Sequence, residues 1–455
     1  MAFHPIDRDT DYLLPPSVQD WLPESHLARY IVEVVETLDL SELERAYAGR
    51  GSDAYHPAML LSLLIYGYAT GTFSSRKIER ATYDSLAFRF IACNQHPDHD
   101  TLAVFRRRFG KQLESIFVQV LQVARENRLS RFGTVSLDGT KVHANASRHR
   151  ALSYGHAEKI EAKLEAEVQE LMKLAEKADQ TAVPDGVNLP DEIKRREDRL
   201  VAIRDAKAKL EARAKERFER EKAEYDAKMA ARAQKERRSG KKPGGKDPDP
   251  PASGPRAQDQ INLTDEESRI MPAHGAFEQS YNAQALVDTE SLLVLATQVS
   301  QAPNDKEQLT PMLEKLQANP EGLNQPDTLL ADTGYFSEKN VRACEGAGIE
   351  PLIAGSRESH HPDWKARFTE PEPLAASATP VEAMQHRLKT LKGHAAYALR
   401  KQTVEPVFGI IKRVMGFRQF SLRGLANACH EWTLVCLVWN LKRMAVLRPN
   451  SAGLG

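Results

Sequence analysis

Cysteine is scarce in this 455-residue chain: Cys93, Cys344, Cys429 and Cys436 are scattered, with no Cys-x-x-Cys pair. That pattern supplies neither a zinc-ribbon site nor a dense disulfide framework, and it suits a reducing, cytoplasmic setting. Long apolar runs are missing as well. The most apolar late segment runs only from Trp432 to Trp439, whereas a bilayer-spanning helix needs about 20 such residues. It is expected to be a buried helix, and no membrane partner is expected. The opening MAFHPIDRDTDYLLPP has no basic start followed by an apolar stretch, so no secretory signal is expected. An excess of one charge is the third absence: 63 Lys plus Arg balance 63 Asp plus Glu. Net charge therefore gives no sign of a polyanionic partner, and any nucleic-acid argument rests on local charge.

The length predicts two or three folded units. From Leu27 to Leu43 apolar residues recur at helical spacing, and Pro57 to Tyr68 follows a turn at Gly49 to Gly51. Ser74 and Ser75, and then Asp98 or Asp100, are plausible N-caps of further amphipathic helices. Four or five helices are expected before Ser130, in an all-helical N-terminal domain over residues 1–130. At Gly133 the period changes, and TVSLDGTKVHANA reads as a strand and short hairpin, the first part of a second domain over 131–150. Residues 151–238 are dominated by Glu, Lys, Arg and Ala. Thin apolar stripes there (Ile160, Leu164, Val168; then Leu200, Ile203, Leu210) predict an inserted antiparallel helical hairpin, reversed at QTAVPDGVNLPD. Its stripes would serve intramolecular packing or dimerisation. The Pro-Gly-rich tract over 239–262 is expected to be a disordered linker.

Strand signals resume in QSYNAQALVD and SLLVLATQVS, followed by a helix, the short run TLLAD, a helix from Ser337 to Gly346, the run EPLIAG, and final helices, so that 263–448 completes the interrupted domain. The order predicts a mixed α/β sheet with flanking helices.

Two acids stand where apolar strand gives way to loop. Asp138 follows TVSL and Asp332 follows TLLA, and ligands of open α/β sheets collect at the carboxyl ends of strands. An Asp before Gly or Thr also caps turns, but the pattern occurs twice. A third acid, Glu405, lies in RKQTVEPVFGIIKR. Pro406 there predicts a helix start, with Lys412 two turns along the same side. Three convergent carboxylates suit phosphodiester chemistry: hard oxygens favour Mg²⁺ or Mn²⁺, and two such ions stabilise the attacking and leaving oxygens of an in-line displacement.

Taken together, SLDGT around Asp138, YNAQALVD, LLADTGYFS around Asp332 and VEPVFGIIKR around Glu405 resemble bacterial insertion-sequence transposases of the DDE class. YHPAMLLSLLIYGYATGTFSSRKIER is similar to the helical domain that precedes the catalytic core in many of them. The resemblance covers about three quarters of the chain. It implies a ribonuclease H-like core with a five-stranded mixed sheet, and two Mg²⁺ or Mn²⁺ ions on Asp138, Asp332 and Glu405. The implied reaction is cleavage at transposon ends followed by strand transfer into target DNA. It further implies roles for Tyr397, for Arg400 or Lys401, and for Lys412, and pairing of subunits into a homodimer when two ends are brought together. DNA is then the partner, as terminal inverted repeats and as target. A host nuclease on the same core, or an inactive DNA-binding derivative, remains the alternative.

Local charge agrees. From Arg387 to Arg448 twelve basic residues face only Glu405 and Glu431, which fits phosphate contacts by Arg400, Lys401, Lys412 and Arg413. Arg106, Arg107 and Arg108 form a second basic cluster, expected to bind DNA ends. His96, His99 and Asp100 are read as a polar loop before a metal site, and His143 and Gln284 as supporting residues near the core strands.

Overall fold

The computed structural model describes residues 17–47, 54–177, 189–240, 244–273, 275–355, 369–374 and 377–448. The turn at Gly49 to Gly51 and most of the reversal between the two hairpin helices lie outside them. The chain divides into two units: 1–145 with 271–276 and 280–455, and 146–270 with 277–279.

The first unit begins with helices α1 (Val18–Trp21), α2 (Leu27–Thr37), α3 (Ser41–Arg45), α4 (Pro57–Ala69), α5 (Ser75–Asp84), α6 (Leu86–Ile91), α7 (His99–Arg108) and α8 (Gln112–Glu126). These are eight among the described residues, against the four or five expected, because short pieces such as α3 and α6 are separated by single turns that periodicity does not resolve. Asp98 caps α7 by accepting from the Thr101 N–H. α4 carries Pro57 in its first turn and is buried almost all round, as its unbroken apolar sequence requires.

β1 (Thr134–His143) opens the sheet. β2 (Ala151–Ser153), α9 (Tyr154–Lys177), α10 (Leu189–Ser239) and β3 (Gln260–Asn262) follow in the second unit, and β4 (Arg269–Ala273) leads back. β5 (Ala276–Asp288), β6 (Val294–Ser300), α11 (Leu309–Gln317), β7 (Thr328–Ala331), α12 (Glu338–Gly346), β8 (Glu350–Ile353), α13 (Pro380–Lys389), α14 (Leu391–Arg413) and α15 (Leu425–Leu447) complete the chain.

The sheet runs β4-β5-β1-β7-β8, with β6 also on β5. Within it β6-β5-β1-β7-β8 is a five-stranded path whose first three strands are antiparallel and whose last three are parallel. The sixth strand, β4, was not expected. This mixed sheet with a helical N-terminal region fits a ribonuclease H-like domain. β1 is one continuous strand, not a strand and hairpin: residues 135–143 pair with 280–288 of β5, whereas only 134–137 pair with β7. The long partner β5 extends β1 well past the point where β7 stops.

α15 holds the first unit together. Trp432, Leu434, Val435, Leu437 and Val438 are all buried, and the helix packs on β6 as well as on α4 and α8. Asn440 bonds both the N–H and the carbonyl of Val294, and the Trp432 indole donates to the Gln284 carbonyl. A helix apolar all round needs cover on every side. The N-terminal helices supply part of it, so they share one compact unit with the sheet and do not form a separate one.

In the second unit α9 and the first part of α10 bury Leu164, Val168, Leu200, Ile203 and Leu210 against Leu152 and Ile261, which is intramolecular packing of the two stripes. The Pro-Gly-rich tract is not without structure. Its described part is tied back to α10 by Arg232 to Asp247 at 3.0 Å and by Arg217 to Asp259 at 2.9 Å, and it ends in β3. Ion pairs substitute here for the apolar anchors that the composition lacks.

Candidate active site

Parallel pairing aligns Leu137 with Ala331, so the next residues on the two strands, Asp138 and Asp332, stand side by side. Asp138 lies in the middle of β1, where it loses β7 as a neighbour and keeps β5; it is not at the strand's end, as expected. Asp332 does follow the end of β7, and its Oδ1 accepts the Gly334 N–H at 2.8 Å. Burial, with the charges of Asp332 and Asp305 adding to it, pushes the Asp138 carboxyl up to about 6, against the opposing pull of the Gly139 N–H and Arg400. Desolvation and like charge both penalise the ionised form.

α14 supplies the facing wall. Its buried residues Val404, Val407, Phe408 and Ile411 seat it, and it packs on β1 and β7. Pro406 lies inside this 23-residue helix, so Glu405 is mid-helix and does not open one. Packing on both sides of Pro406 outweighs the local cost of about 3 kcal/mol for an interior proline. Arg400, 11% exposed, places Nη1 3.4 Å from Asp138 Oδ2 and Nη2 3.5 Å from Glu405 Oε1. Glu405 itself is exposed. Lys412 donates to Thr140 Oγ1 at 2.5 Å and to the Lys141 carbonyl at 2.8 Å. Burial and the neighbouring Lys141 lower its ammonium to about 8. Asp138, Lys141, His143, Glu405, Lys412 and Arg413 line one cleft of about 770 Å³.

Sequence reasoning missed Asp305. Its Oδ1 accepts from Asn282 Nδ2 at 2.7 Å and Gln284 Nε2 at 2.8 Å, and lies 3.7 Å from Lys141 Nζ. Gln284 also accepts from the buried Tyr335 hydroxyl. Two strands, the loop that carries Asp305 and the turn after β7 are thereby tied together behind Asp138. The sequence signals its partners but not Asp305 itself: Asn282 and Gln284 alternate on β5, and Gly139 follows Asp138. A Cβ at Gly139 would overlap Gln284 Nε2 and come within 2.6 Å of Asp305 Oδ1.

A transposase DDE-domain model matches residues 251–441, and a second transposase-domain model matches residues 16–108. The chain belongs to the insertion-sequence DDE transposases. The two matches together span more than half of the chain. The first takes in Asp332 and Glu405 and begins after Asp138. No curated protein and no solved structure matches the chain.

Members of this family serve DNA transposition and bind DNA, which bears on the basic candidates. Lys401 and Arg413 are exposed on α14, and Tyr397 and Arg400 are partly buried there. Of the trio on α7, only Arg107 and Arg108 are exposed. Arg106 turns inward from the exposed face and donates to the Tyr68 hydroxyl and the Phe73 carbonyl. Arg108 donates to the Ala46 carbonyl and stacks over Tyr47. In the C-terminal run Lys442 and Arg443 donate to the carbonyls of Ala69 and Ser291, and Arg448 pairs with Glu33. They are structural contacts. His99 pairs with Glu79 at 2.8 Å, and His96 stacks on Tyr83. No described helix is long and apolar enough to cross a membrane.

Divalent metal is usual in this family of transposases. Among the described residues no three side chains of the ligating types stand close enough to hold an ion as they are, and Arg400 lies between Asp138 and Glu405. The donor chemistry nonetheless suits a hard cation: carboxylate oxygens gathered with Asp138 raised toward neutrality are the surroundings that a divalent ion relieves.

Proposed function

We propose that this transposase cleaves DNA at transposon ends and joins the freed ends to target DNA, using Asp138, Asp332 and Glu405. The observation that carries the reading is the strand register that sets Asp332 next to Asp138, which itself lines one cleft with Glu405 and Lys412. A five-stranded ribonuclease H-like path underlies it.

In the first step the oxygen of water attacks the phosphorus at the transposon end; the bond to the 3′ oxygen breaks, and that oxygen departs as a hydroxyl. In the second, this 3′ hydroxyl attacks a target phosphodiester; one P–O bond forms, the bond to the target's 3′ oxygen breaks, and that leaving oxygen takes up the proton the attacking hydroxyl gives up. Two Mg²⁺ or Mn²⁺ ions, held by Asp138, Asp332 and Glu405, would supply activation of the attacking oxygen and charge stabilisation of the leaving one. Arg400 compensates charge between Asp138 and Glu405. Lys412, held by Thr140, offers an ammonium to a phosphate oxygen, and Tyr397, Lys401, Arg413 and Arg107 contact flanking backbone. Asp305 positions Gln284 and Lys141. A homodimer holding two ends and a cytoplasmic, nucleoid-associated location complete the reading.

The decisive experiment offers the purified protein labelled ends and a target plasmid in Mg²⁺. Covalent joining of a 3′ end to target is expected. Nicking without joining would favour a nuclease on the same core, and DNA binding without nicking an inactive derivative.

A further inference from the structure

Beside the cleft lies a second pocket, of about 490 Å³, whose wall includes Ser74, Ser75, Lys77, Arg106, Asn145 and Gln419. The N-terminus of the ten-residue helix α5 opens into it. Ser74 occupies the N-cap position yet makes no capping bond, and the first turn has no acidic residue. The first-turn N–H groups thus keep their partial positive charge unanswered by a side chain. Ser75, only 9% exposed, has a hydroxyl without a hydrogen-bond partner. The Arg106 Nε is likewise buried and unpartnered, while its Nη1 is fixed by Tyr68 and Phe73. Glu431 lies behind Tyr68 and answers part of the Arg106 charge, but its carboxylate is taken up by the Tyr68 hydroxyl and the N–H groups of Ser421 and Leu422. Lys77 is exposed.

We propose that this pocket binds a phosphate group of the DNA backbone. An uncapped helix N-terminus, buried donors and a lysine make an anion site, and its place suggests whose phosphate it takes. Asn145 and Gln419 line the pocket, and their near neighbours His143 and Arg418 line the cleft. Asn145 is seven residues past Asp138 along the β1 direction, roughly 20 Å, the axial length of about six base pairs. The pocket anchors the duplex at a fixed distance from the reacting phosphate. This assignment rests on the transposase reading.

The test compares the full-length protein with Ser74→Asp, which caps α5 with its own carboxylate and repels phosphate, and with Lys77→Gln. Binding of a labelled duplex is measured across a salt series, with melting temperatures in parallel. Both variants are expected to bind about tenfold more weakly, with the slope of log affinity against log salt reduced by about one. Ser74→Asp is expected to melt no lower than the wild type, which separates lost binding from lost folding. Inorganic phosphate is expected to raise the melting temperature of the wild type and not that of Ser74→Asp. Unchanged affinity and slope in both variants overturn the anchor and leave the transposase reading intact. The same result with selective stabilisation by inorganic phosphate overturns the DNA assignment and marks a site for a free phosphate. A wild-type protein that binds no duplex overturns both.

Discussion

Carboxylates near basic side chains occur in the cleft and in the helical hairpin, and the two settings treat them oppositely. In the hairpin Glu161 bonds Lys207 and Glu167 bonds Arg196, both acids lie at the solvent-facing edge, and each carboxyl is lowered by its partner's hydrogen bond. In the cleft Asp138 also has an arginine beside it, yet burial and two neighbouring acids push it up. The hairpin is therefore at rest electrostatically. The cleft carries a cost that a proton or a bound cation relieves, and that contrast is what separates a solvated face from a reactive one.

Four measurements break or sharpen the contrast. If the hairpin depends on its apolar stripe and not on its ion pairs, Ile203→Ala, at a side chain 2% exposed, destabilises the second unit by about 2–5 kcal/mol, read from a helical melting curve; an unaltered melt would contradict this. If the cleft stores electrostatic cost, Asp138→Asn stabilises the metal-free protein. A carboxyl raised from 3.8 to about 6 contributes stability below pH ~4 that is lost as pH rises through 6. The variant accordingly gains up to about 3 kcal/mol at pH 7 and nothing near pH 4. Denaturant titrations at the two pH values check the sign. Gly139→Ala forces Gln284 and Asp305 apart and costs about 1–3 kcal/mol; equal stability would mean that their network yields without strain. Last, Glu167→Gln leaves the melting temperature unchanged at moderate salt, because ion pairs still open to solvent, as this partly exposed one is, contribute little.

Some of this was legible in the sequence, and the reasons for the rest are physical. Asp138 and Asp332 could be found because each ends a short β-branched or leucine-rich run, and the hairpin because its stripes keep a three- and four-residue spacing. Asp305 could not, since QAPNDKE reads as an ordinary turn and only the folded chain brings it to Asn282 and Gln284. The continuation of β1 past Asp138 was hidden by Gly139, a residue that usually marks a turn and here makes room for Gln284. Pro406 pointed to a helix start by local rules, and the buried face of α14 overrode them. Arg106 illustrates the limit for charge clusters: successive residues on a helix point about 100° apart, so one of three arginines turns inward and composition does not say which. The all-round apolarity of α15 likewise announced burial but not that α4 and α8 would provide it.

The most direct test of the central claim is Mg²⁺-dependent cleavage of a plasmid bearing the DNA segments that flank the gene, by the wild type and by Asp138→Asn, Asp332→Asn and Glu405→Gln, with DNA affinity measured alongside. Each variant is predicted to lose cleavage by more than ~100-fold, beyond what loss of a residue that only supports a metal ligand costs, while still binding DNA. Undiminished cleavage in any one of the three would contradict the account and remove that carboxylate from the site.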